Sequence, residues 1–438
     1  MIVRFSVENY LSFNERQTLD LSAVKTCKER RSENTFVIDK DSALLKVVAI
    51  YGANASGKSN LFKALMFMLS FIYDSFANQY ALEDLPLATF LFDEGSTLKP
   101  AVFELEFSVG GVWYKYGFKI SNVRVVEEWL YRKTVKQSRM KALFVRSHES
   151  EGDIINPHLE FVGADEVVVE KTRENALFLS ACASLAVKEA MMIVDALHNS
   201  VSFVSTQQAR REMTAAMYAD GKQKENILKF LKKTDPSIDD LLVEPYELDT
   251  GRSRANGDPI FRKRYHVFLS HKLSDSGQDV KFPLYALGSL GTRKAFELAG
   301  PIYAALASGA TIFIDELDSR LHPILTREII KLFNSTENNP NNAQLVFNTH
   351  DTNLLSSKCF NPVTQKKECV LRRDQIYFVE RDGSYASKLY SLVDFKDEEG
   401  DSIRNDASFE KDYLAGRYGS IPFIGDFSFI GDRKNGEN

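Results

Sequence analysis

The chain opens with side chains that alternate between apolar and polar. Val3, Phe5 and Val7 share one face of an extended segment, and polar residues occupy the other face. A period of two predicts a half-buried strand. A second alternating stretch, residues 18–21, follows a polar turn, so we expect the two strands to form an antiparallel pair.

The next apolar run has a different pattern. Residues 46–51 (KVVAIY) are largely β-branched or apolar, which is typical of a strand buried on both faces. The run leads directly into GANASGKS and then into residues 60–77, which contain neither glycine nor proline and predict a helix. The predicted order is strand, glycine-rich loop, helix.

The middle of the chain divides into two patterns. Residues 100–135 alternate around the pair Gly110-Gly111, which predicts a hairpin. Residues 171–233 have helical periodicity instead. The polar segment 251–259 predicts a loop, and a further strand follows it.

The glycine-rich loop matches the phosphate-binding pattern G-x-x-x-x-G-K-[ST] at every fixed position. Its glycines allow several backbone N–H groups to converge on one phosphate, and the helix that follows adds its positive end. We predict that Lys58 reaches the β- and γ-phosphates of ATP and that Ser59 ligates Mg²⁺. The alternative is a structural turn between strand and helix. The predicted nucleotide contacts of the loop are Gly52, Asn54, Ala55, Ser56, Gly57, Lys58, Ser59 and Asn60.

A second buried strand, residues 310–314 (ATIFI), ends in Asp315-Glu316. A carboxylate at the carboxyl end of a strand beside the P-loop stands where Mg²⁺ needs an outer ligand, and we assign that role to Asp315. Glu316 would face the γ-phosphate and act as general base for the attacking water. The alternative is a strand that ends in surface acids.

Composition changes this picture little. Hydrophobic residues make up 44% of the 438-residue chain and charged residues 26%, as in an ordinary globular enzyme. The formal net charge of -5 argues against a surface devoted to nucleic acid but is compatible with a local basic groove. The 4 scattered cysteines favour reduced thiols over a disulfide framework or a zinc site. We find neither a signal peptide nor a membrane-spanning stretch, and expect a cytoplasmic protein.

Ahead of the acidic strand, Ser289 and Gly291 lie in LGSLGTR before a predicted helix. The segment resembles a degenerate signature of the ABC ATPases, in which a serine and a glycine at a helix N-terminus point at a γ-phosphate. Leu290 replaces the first glycine of the usual pair, and no glutamine follows. A plain helix N-cap at Ser289 is the open alternative. Pro301 predicts a kink or an early end of the helix.

The order of P-loop, long insertion, signature, Asp-Glu pair and histidine resembles that of the ABC ATPase superfamily. The chain looks like the RecF/SMC-like branch, related to OLD proteins but lacking their Toprim domain, and within it like stand-alone ATPases of bacterial abortive-infection and phage-defence operons. His350 matches the switch histidine, which hydrogen-bonds the γ-phosphate and orients the water; a surface histidine is the alternative. The motifs that carry this resemblance cover nearly the whole chain: N-x-x-S-F at residues 9–13, GANASGKSN, IDELDSRLHP, NTHD and GRYG.

The resemblance implies an α/β fold, namely an ABC-type P-loop NTPase head with a mixed β-sheet core, an inserted β-rich lobe and a helical lobe. We expect residues 1–84 and 286–438 to form the two halves of the head. Residues 85–165 would form the β-rich lobe and residues 166–285 the mainly helical lobe. The resemblance also implies ATP and Mg²⁺ as cofactors, and a homodimer or larger homo-oligomer with ATP at its interface.

The function that the resemblance implies is an ATP-hydrolysing switch in an anti-phage system. We find no metal-binding Asp-x-Asp pair of a Toprim nuclease after His350, so destructive activity would belong to a partner nuclease or toxin. A RecF-like DNA-binding ATPase of repair or replication is the alternative, with basic surfaces at residues 207–211 and 222–233, and a non-catalytic scaffold is a third. The trigger, the effector and the adenine contact stay unassigned, and Gln79 is a Q-loop candidate by proximity alone.

Overall fold

The computed structural model describes residues 1–39, 42–84, 87–134, 137, 139–149, 152–204, 207–221, 223–253, 258–272, 277–356, 359–361, 365–396, 403 and 408–421. The strands are β1 (Ile2–Glu8), β2 (Gln17–Asp20), β3 (Thr35–Val37), β4 (Ala43–Leu45), β5 (Val47–Tyr51), β6 (Ala101–Val109), β7 (Val112–Ile120), β8 (Val125–Lys133), β9 (Lys141–Glu149), β10 (Gly152–Pro157), β11 (Val201–Phe203), β12 (Asp240–Ser253), β13 (Pro259–Lys272), β14 (Asp279–Pro283), β15 (Thr311–Ile314), β16 (Gln344–Asn348), β17 (Cys359–Asn361), β18 (Lys366–Glu368), β19 (Ile376–Arg381) and β20 (Ser387–Ser391). The helices are α1 (Arg31–Asn34), α2 (Lys58–Asp74), α3 (Ala81–Asp84), α4 (Glu166–Lys171), α5 (Phe178–Ser184), α6 (Lys188–Ser200), α7 (Gln207–Ala219), α8 (Lys224–Thr234), α9 (Leu284–Leu287), α10 (Leu290–Ser308), α11 (Pro323–Asn334) and α12 (Phe409–Leu414).

The central sheet has six strands in the order β11-β15-β16-β5-β19-β20. All neighbouring strands pair in parallel except β19 and β20, which are antiparallel. Alternate side chains of β5 enter two different cores, with Val48 and Ile50 on one side and Val47, Ala49 and Tyr51 on the other. The strand predicted to be buried on both faces is therefore confirmed, as is the mixed sheet of the expected fold.

A second sheet is antiparallel throughout, in the order β10-β9-β8-β7-β6-β1-β2. The predicted pairing of the first two strands is confirmed, with Phe5 opposite Leu19. The predicted hairpin also forms, because Val109 and Val112 pair on either side of the two glycines. Strands β6 to β10 extend the sheet that β1 and β2 begin, so this region shares one sheet with the N-terminus of the chain.

The long helix α2 packs against both sheets. Phe67 contacts Phe103 of β6, and Phe62 contacts Phe313 of β15. These rings belong to one continuous apolar core, which fixes α2 and hence the loop at its start relative to both sheets.

The segment predicted to be helical, residues 171–233, is interrupted by β11, which pairs with β15 at the edge of the central sheet. A strand of only three residues is too short for its periodicity to be separated from that of the flanking helices. The strand predicted after residue 259 is confirmed as β13, which pairs with β12 and β14. β12 continues to Ser253 and β13 begins at Pro259, so both ends of the predicted loop are strand, and residues 254–257 lie outside the described residues.

The predicted early end of the signature helix at Pro301 is wrong. α10 continues through Pro301 and ends at Ser308, and its C-cap is Gly309, whose φ is 71°. The packing of α7 supports the helix at this point, where the Gly300 N–H donates to the Thr214 hydroxyl at 2.9 Å. Burial on both sides of the proline thus outweighs the helical hydrogen bond that proline removes. Within the ranges given above, no helix has both the length and the apolarity needed to cross a bilayer.

Candidate nucleotide site

The glycine-rich loop connects the end of β5 to the start of α2. Gly52 and Gly57 have φ values of 155° and 109°. A Cβ on Gly52 would lie 2.4 Å from the Val379 carbonyl oxygen, and a Cβ on Gly57 would lie 2.2 Å from the Ser387 Oγ. Both positions therefore require glycine, because backbone conformation and close packing each exclude a side chain.

Two serines from distant parts of the chain support this loop from behind. The Ser387 hydroxyl lies 2.6 Å from the Ser56 carbonyl oxygen and 2.7 Å from the Ser12 hydroxyl. The Ser12 hydroxyl in turn accepts a hydrogen bond from Asn60 Nδ2 at 2.9 Å. Ser12 is the serine of the N-x-x-S-F motif, and its place in the structure gives that motif a physical role. We refer to Ser12 and Ser387 as the serine brace.

Lys58 points into the concave side of the loop. Its Nζ donates to the carbonyl oxygens of Gly52 at 2.7 Å and Ala53 at 2.9 Å. Burial lowers the pKa of Lys58, an effect opposed by nearby carboxylates, of which Asp315 is the strongest. The ammonium group is thus held by weak backbone acceptors at the place where a phosphate would lie, and an anion there would supply a stronger partner.

Three elements converge on the Asp315 carboxylate. Ser59 Oγ donates to Asp315 Oδ1 at 3.0 Å, and Asn348 Nδ2 donates to the same oxygen. Hydroxyl and carboxylate oxygens are the ligands that Mg²⁺ prefers, and these two are already adjacent, so the residues fit a magnesium ion. The Asn348 carboxamide also accepts the Glu316 N–H, so one side chain orients both acids.

Glu316 and His350 face the same opening. Glu316 has a φ of 51°, an uncommon conformation for a residue other than glycine, and its side chain is exposed. The backbone N–H of His350 donates to Asp318 Oδ2 at 3.3 Å. Burial, and then the positive charge of Lys58, lower the pKa of His350 from 6.5, although nearby carboxylates oppose the shift. The imidazole is therefore neutral at pH 7 and can both donate and accept a hydrogen bond.

These residues line one cleft of about 570 Å³. Neither Gly52 nor Gln79 is among the lining residues. Gln79 follows the C-terminal end of α2, whose 17 residues span about 25 Å, whereas the P-loop lies at the other end of that helix. Sequence reasoning missed three of the lining residues: Ser12 and Asn348 lie inside motifs that had been recognised, whereas Arg381 carried no sequence signal. The full lining is Ser12, Asn54, Ala55, Ser56, Gly57, Lys58, Ser59, Asn60, Asp315, Glu316, Asn348, His350 and Arg381.

The predicted signature residues lie elsewhere in the chain. Ser289 is the N-cap of α10, and its Oγ accepts the Thr292 N–H at 3.1 Å. Neither Ser289 nor Gly291 lines the P-loop cleft. They adjoin a separate pocket of about 160 Å³, rich in cationic side chains, which we call the signature pocket and which is lined by Arg210, Leu290, Arg293, Lys294, Glu297, Ser319 and Arg320.

Of the two predicted basic surfaces, the one at residues 207–211 is partly used within the fold. The Arg211 guanidinium lies 4.0 Å from the centre of the Tyr285 ring and donates to the Tyr265 carbonyl oxygen at 3.1 Å. Arg210 lines the signature pocket. His322 has a structural role, because its Nδ1 caps α11 by accepting the Ile324 N–H at 3.2 Å.

Comparison with known proteins bears on the same site. The sequence model of a family described as "AAA domain, putative AbiEii toxin, Type IV TA system" matches residues 47–356. Among solved structures, a crystal structure of the SmcHead bound to the C-winged helix domain of ScpA is similar with a TM-score of 0.41 and 14% identity, covering 89% of this chain and 97% of that chain. No curated protein matches.

The family match takes in the P-loop, the Asp315-Glu316 pair and His350. Such P-loop domains bind a nucleotide, usually together with Mg²⁺, and the geometry of the cleft fits both ligands. Since the match extends over most of the sequence, the chain belongs to the AAA-domain family of P-loop ATPases described as putative AbiEii toxin.

Proposed function

We propose that the protein is an ATP-hydrolysing switch whose two copies close head-to-tail over ATP, and that it controls an effector in a toxin–antitoxin or abortive-infection setting. The observation that carries the proposal is the convergence of Lys58, Asp315, Glu316 and His350 on one cleft. The family description supports the setting, since it names a type IV toxin–antitoxin system.

The loop binds the triphosphate of ATP through its backbone N–H groups and the Lys58 ammonium. Ser59 and Asp315 hold Mg²⁺, which when bound withdraws charge from the phosphate oxygens. Asn348 fixes the direction of the Asp315 carboxylate by donating to it. No large rearrangement of these side chains is needed, because Ser59 and Asp315 are already within 3.0 Å of each other.

Hydrolysis follows from the two residues that face the opening. The Glu316 carboxylate accepts a proton from a water molecule as the water oxygen attacks the γ-phosphorus. The bond from that phosphorus to the bridging oxygen breaks, and ADP leaves with the electron pair. Neutral His350 donates to a γ-phosphate oxygen and so orients the reacting groups.

The signature pocket supplies the second half of the switch. Its cations lie at the start of α10, where the helix dipole adds positive charge, but the pocket is separate from the cleft of the same chain. Leu287 and Leu290 flank Ser289 and are 70% and 54% exposed, a cost that burial against a second copy would remove. Ser289 and Gly291 of one copy would thereby complete the cleft of the other.

The proposal assigns different roles to successive segments of the chain. Residues 1–84 and 286–438 supply the head, to whose central sheet β11 adds an edge strand, while the remaining parts of residues 85–165 and 166–285 form the lobes that an effector would contact. The effector is a nuclease or toxin of the same operon, and a gene for such a protein next to this one would support the proposal. A neighbourhood of repair genes would favour the DNA-binding alternative instead.

The test compares Glu316→Gln with wild type and with Glu337→Gln, an exposed acid outside the cleft. Loss of the general base should slow phosphate release by about 100-fold or more while ATP binding persists. Size-exclusion chromatography with ATP and Mg²⁺ should then show a stable dimer for Glu316→Gln alone. A Glu316→Gln protein that stays monomeric with ATP, or that releases phosphate at the wild-type rate, would overturn the proposal.

A further inference from the structure

The topology of the central sheet gives the cleft a direction. β5 leads into the P-loop. β16, which is followed by His350, and β15, which is followed by Asp315, lie on one side of β5. β19 and β20 lie on the other side. If the γ-phosphate faces the acids and the histidine, as the proposed function requires, the base of the nucleotide extends toward the β19–β20 turn. This inference therefore rests on the proposed function.

An aromatic cluster stands at that end of the cleft. Arg381, at the end of β19, lines the cleft, and its guanidinium lies 5.6 Å from the centre of the Phe92 ring and 5.3 Å from that of Tyr385. The two rings are 4.9 Å apart at an angle of 33°. Phe92 is 59% exposed and Tyr385 is 56% exposed, so both rings offer a large apolar area to a ligand.

Phe92 is held in place by the chain around it. The Phe90 N–H donates to Asn9 Oδ1 at 3.3 Å, and the Phe90 ring is fully buried. Asn9 Nδ2 donates to the Ser96 carbonyl oxygen at 2.7 Å. The segment that carries Phe92 is thus fixed on both sides of the exposed ring.

Tyr385 is held equally firmly. It has a φ of 66°, which is costly for a bulky residue and persists only where the surroundings enforce it. The Asp382 carboxylate enforces the turn by accepting the N–H groups of Ser384 at 2.9 Å and Ala386 at 3.1 Å. Arg381 Nε donates to the Tyr385 carbonyl oxygen at 2.9 Å, which links the guanidinium to the same turn.

We propose that Arg381, Phe92 and Tyr385 bind the purine base of ATP. A purine offers a flat π-face, which stacks on aromatic rings and on a guanidinium plane. Rigid, exposed rings lose little conformational entropy when they bind, so they suit this task better than flexible apolar side chains. The cluster accounts for the base of ATP, which the P-loop, the acids and the histidine leave without a contact.

The experiment measures the binding of ATP and of tripolyphosphate to the full chain by calorimetry in the presence of Mg²⁺. Phe92→Ala and Tyr385→Ala should each weaken ATP binding by about 10-fold or more, because each removes a stacking surface. Neither should change the affinity for tripolyphosphate, which has no base. Tyr385→Phe, which keeps the ring, should bind ATP like wild type. Leu98→Ala removes another exposed apolar side chain from the segment that carries Phe92, and should change neither affinity.

The inference would be overturned if ATP affinity were unchanged in both alanine variants, or if the affinities for ATP and tripolyphosphate fell together. Loss of ATP-dependent dimerisation alone would overturn it as well, because it would assign the rings to an interface. Wild-type protein that binds tripolyphosphate as tightly as ATP would also overturn it while leaving the proposed function intact. Failure of the wild type to bind either ligand would instead refute the proposed function itself.

Discussion

The P-loop and the start of α10 are both glycine-containing helix N-termini, yet their surroundings differ. The P-loop is supported from behind by the serine brace and faces acids and a histidine across a shared cleft. The start of α10 has its own serine cap, an exposed Leu290 and a cationic rim. In our proposal, the chain thus builds one phosphate site around a complete set of partners and leaves the other open, to be filled by ATP on a second copy.

The largest expected effect breaks the P-loop half of this comparison. Lys58→Ala removes the ammonium group that, in our proposal, donates to the β- and γ-phosphates of ATP, and a hydrogen bond to a charged group contributes about 2 kcal/mol. ATP affinity should therefore fall by about 100-fold or more, as measured by calorimetry. Lys63→Ala, an exposed lysine farther along α2, is the control and should bind normally. Comparable ATP affinity in the two variants would contradict the assigned role of Lys58.

The next prediction concerns the tight fit of the loop on its brace. Gly57→Ala places a methyl group 2.2 Å from Ser387 Oγ and 2.7 Å from Ser12 Oγ, and adds backbone strain. We expect a loss of about 3 kcal/mol in the free energy of unfolding. Gly152→Ala is the control, because the φ of Gly152, 125°, also lies outside the left-handed well but its methyl group meets no atom within 4 Å, so about 1 kcal/mol should be lost. Equal losses in urea unfolding would show that the brace does not confine the loop.

A smaller effect is expected at the start of α10. Leu290→Asp places a carboxylate where, in our proposal, the triphosphate of a second copy lies, and like charges repel. In a Glu316→Gln background, ATP-dependent dimerisation should weaken by about 10-fold or more, while ATP affinity of the monomer is kept. Leu414→Asp, on another exposed apolar residue, should dimerise normally in analytical ultracentrifugation. Normal dimerisation of Leu290→Asp would remove the signature pocket from the interface.

The smallest effect concerns pH. Because the pKa of His350 in the folded chain lies below the 6.5 of the unfolded chain, the unfolded state binds more protons in the interval between the two values. Stability due to His350 is therefore present above pH 6.5 and lost as pH falls through the lowered pKa. The melting temperature of nucleotide-free wild type should thus decline slightly more between pH 7.5 and 5.5 than that of His350→Asn. Parallel declines would mean that the pKa of His350 is not lowered in the folded chain.

The site was more predictable from the sequence than its surroundings. The P-loop, Asp315-Glu316 and His350 follow buried strands at fixed offsets, and the carboxyl ends of parallel strands meet at one edge of a sheet. Their convergence on one cleft could therefore be expected from the sequence alone. Arg381 could not, because its place depends on β19 lying beside β5, a long-range pairing that no local pattern encodes.

The fold was predictable where a pattern was long. Alternation identified β1, β2 and the β6–β7 hairpin, but it could not show that they form a single sheet, since strand order depends on distant contacts. The three residues of β11 were too few to be detected. Pro301 misled because local propensity favours a helix end there, whereas packing of α7 on α10 keeps the helix continuous.

The serine brace also has a consequence for synthesis. Its two members stand near opposite ends of the chain, and Ser387 is translated long after the loop it holds. While the polypeptide is still emerging from the ribosome, the loop lacks this support until Ser387 has been made. Both serines also fall outside residues 47–356, so an excised fragment of that extent would keep the P-loop, the Asp315-Glu316 pair and His350 but lose the brace.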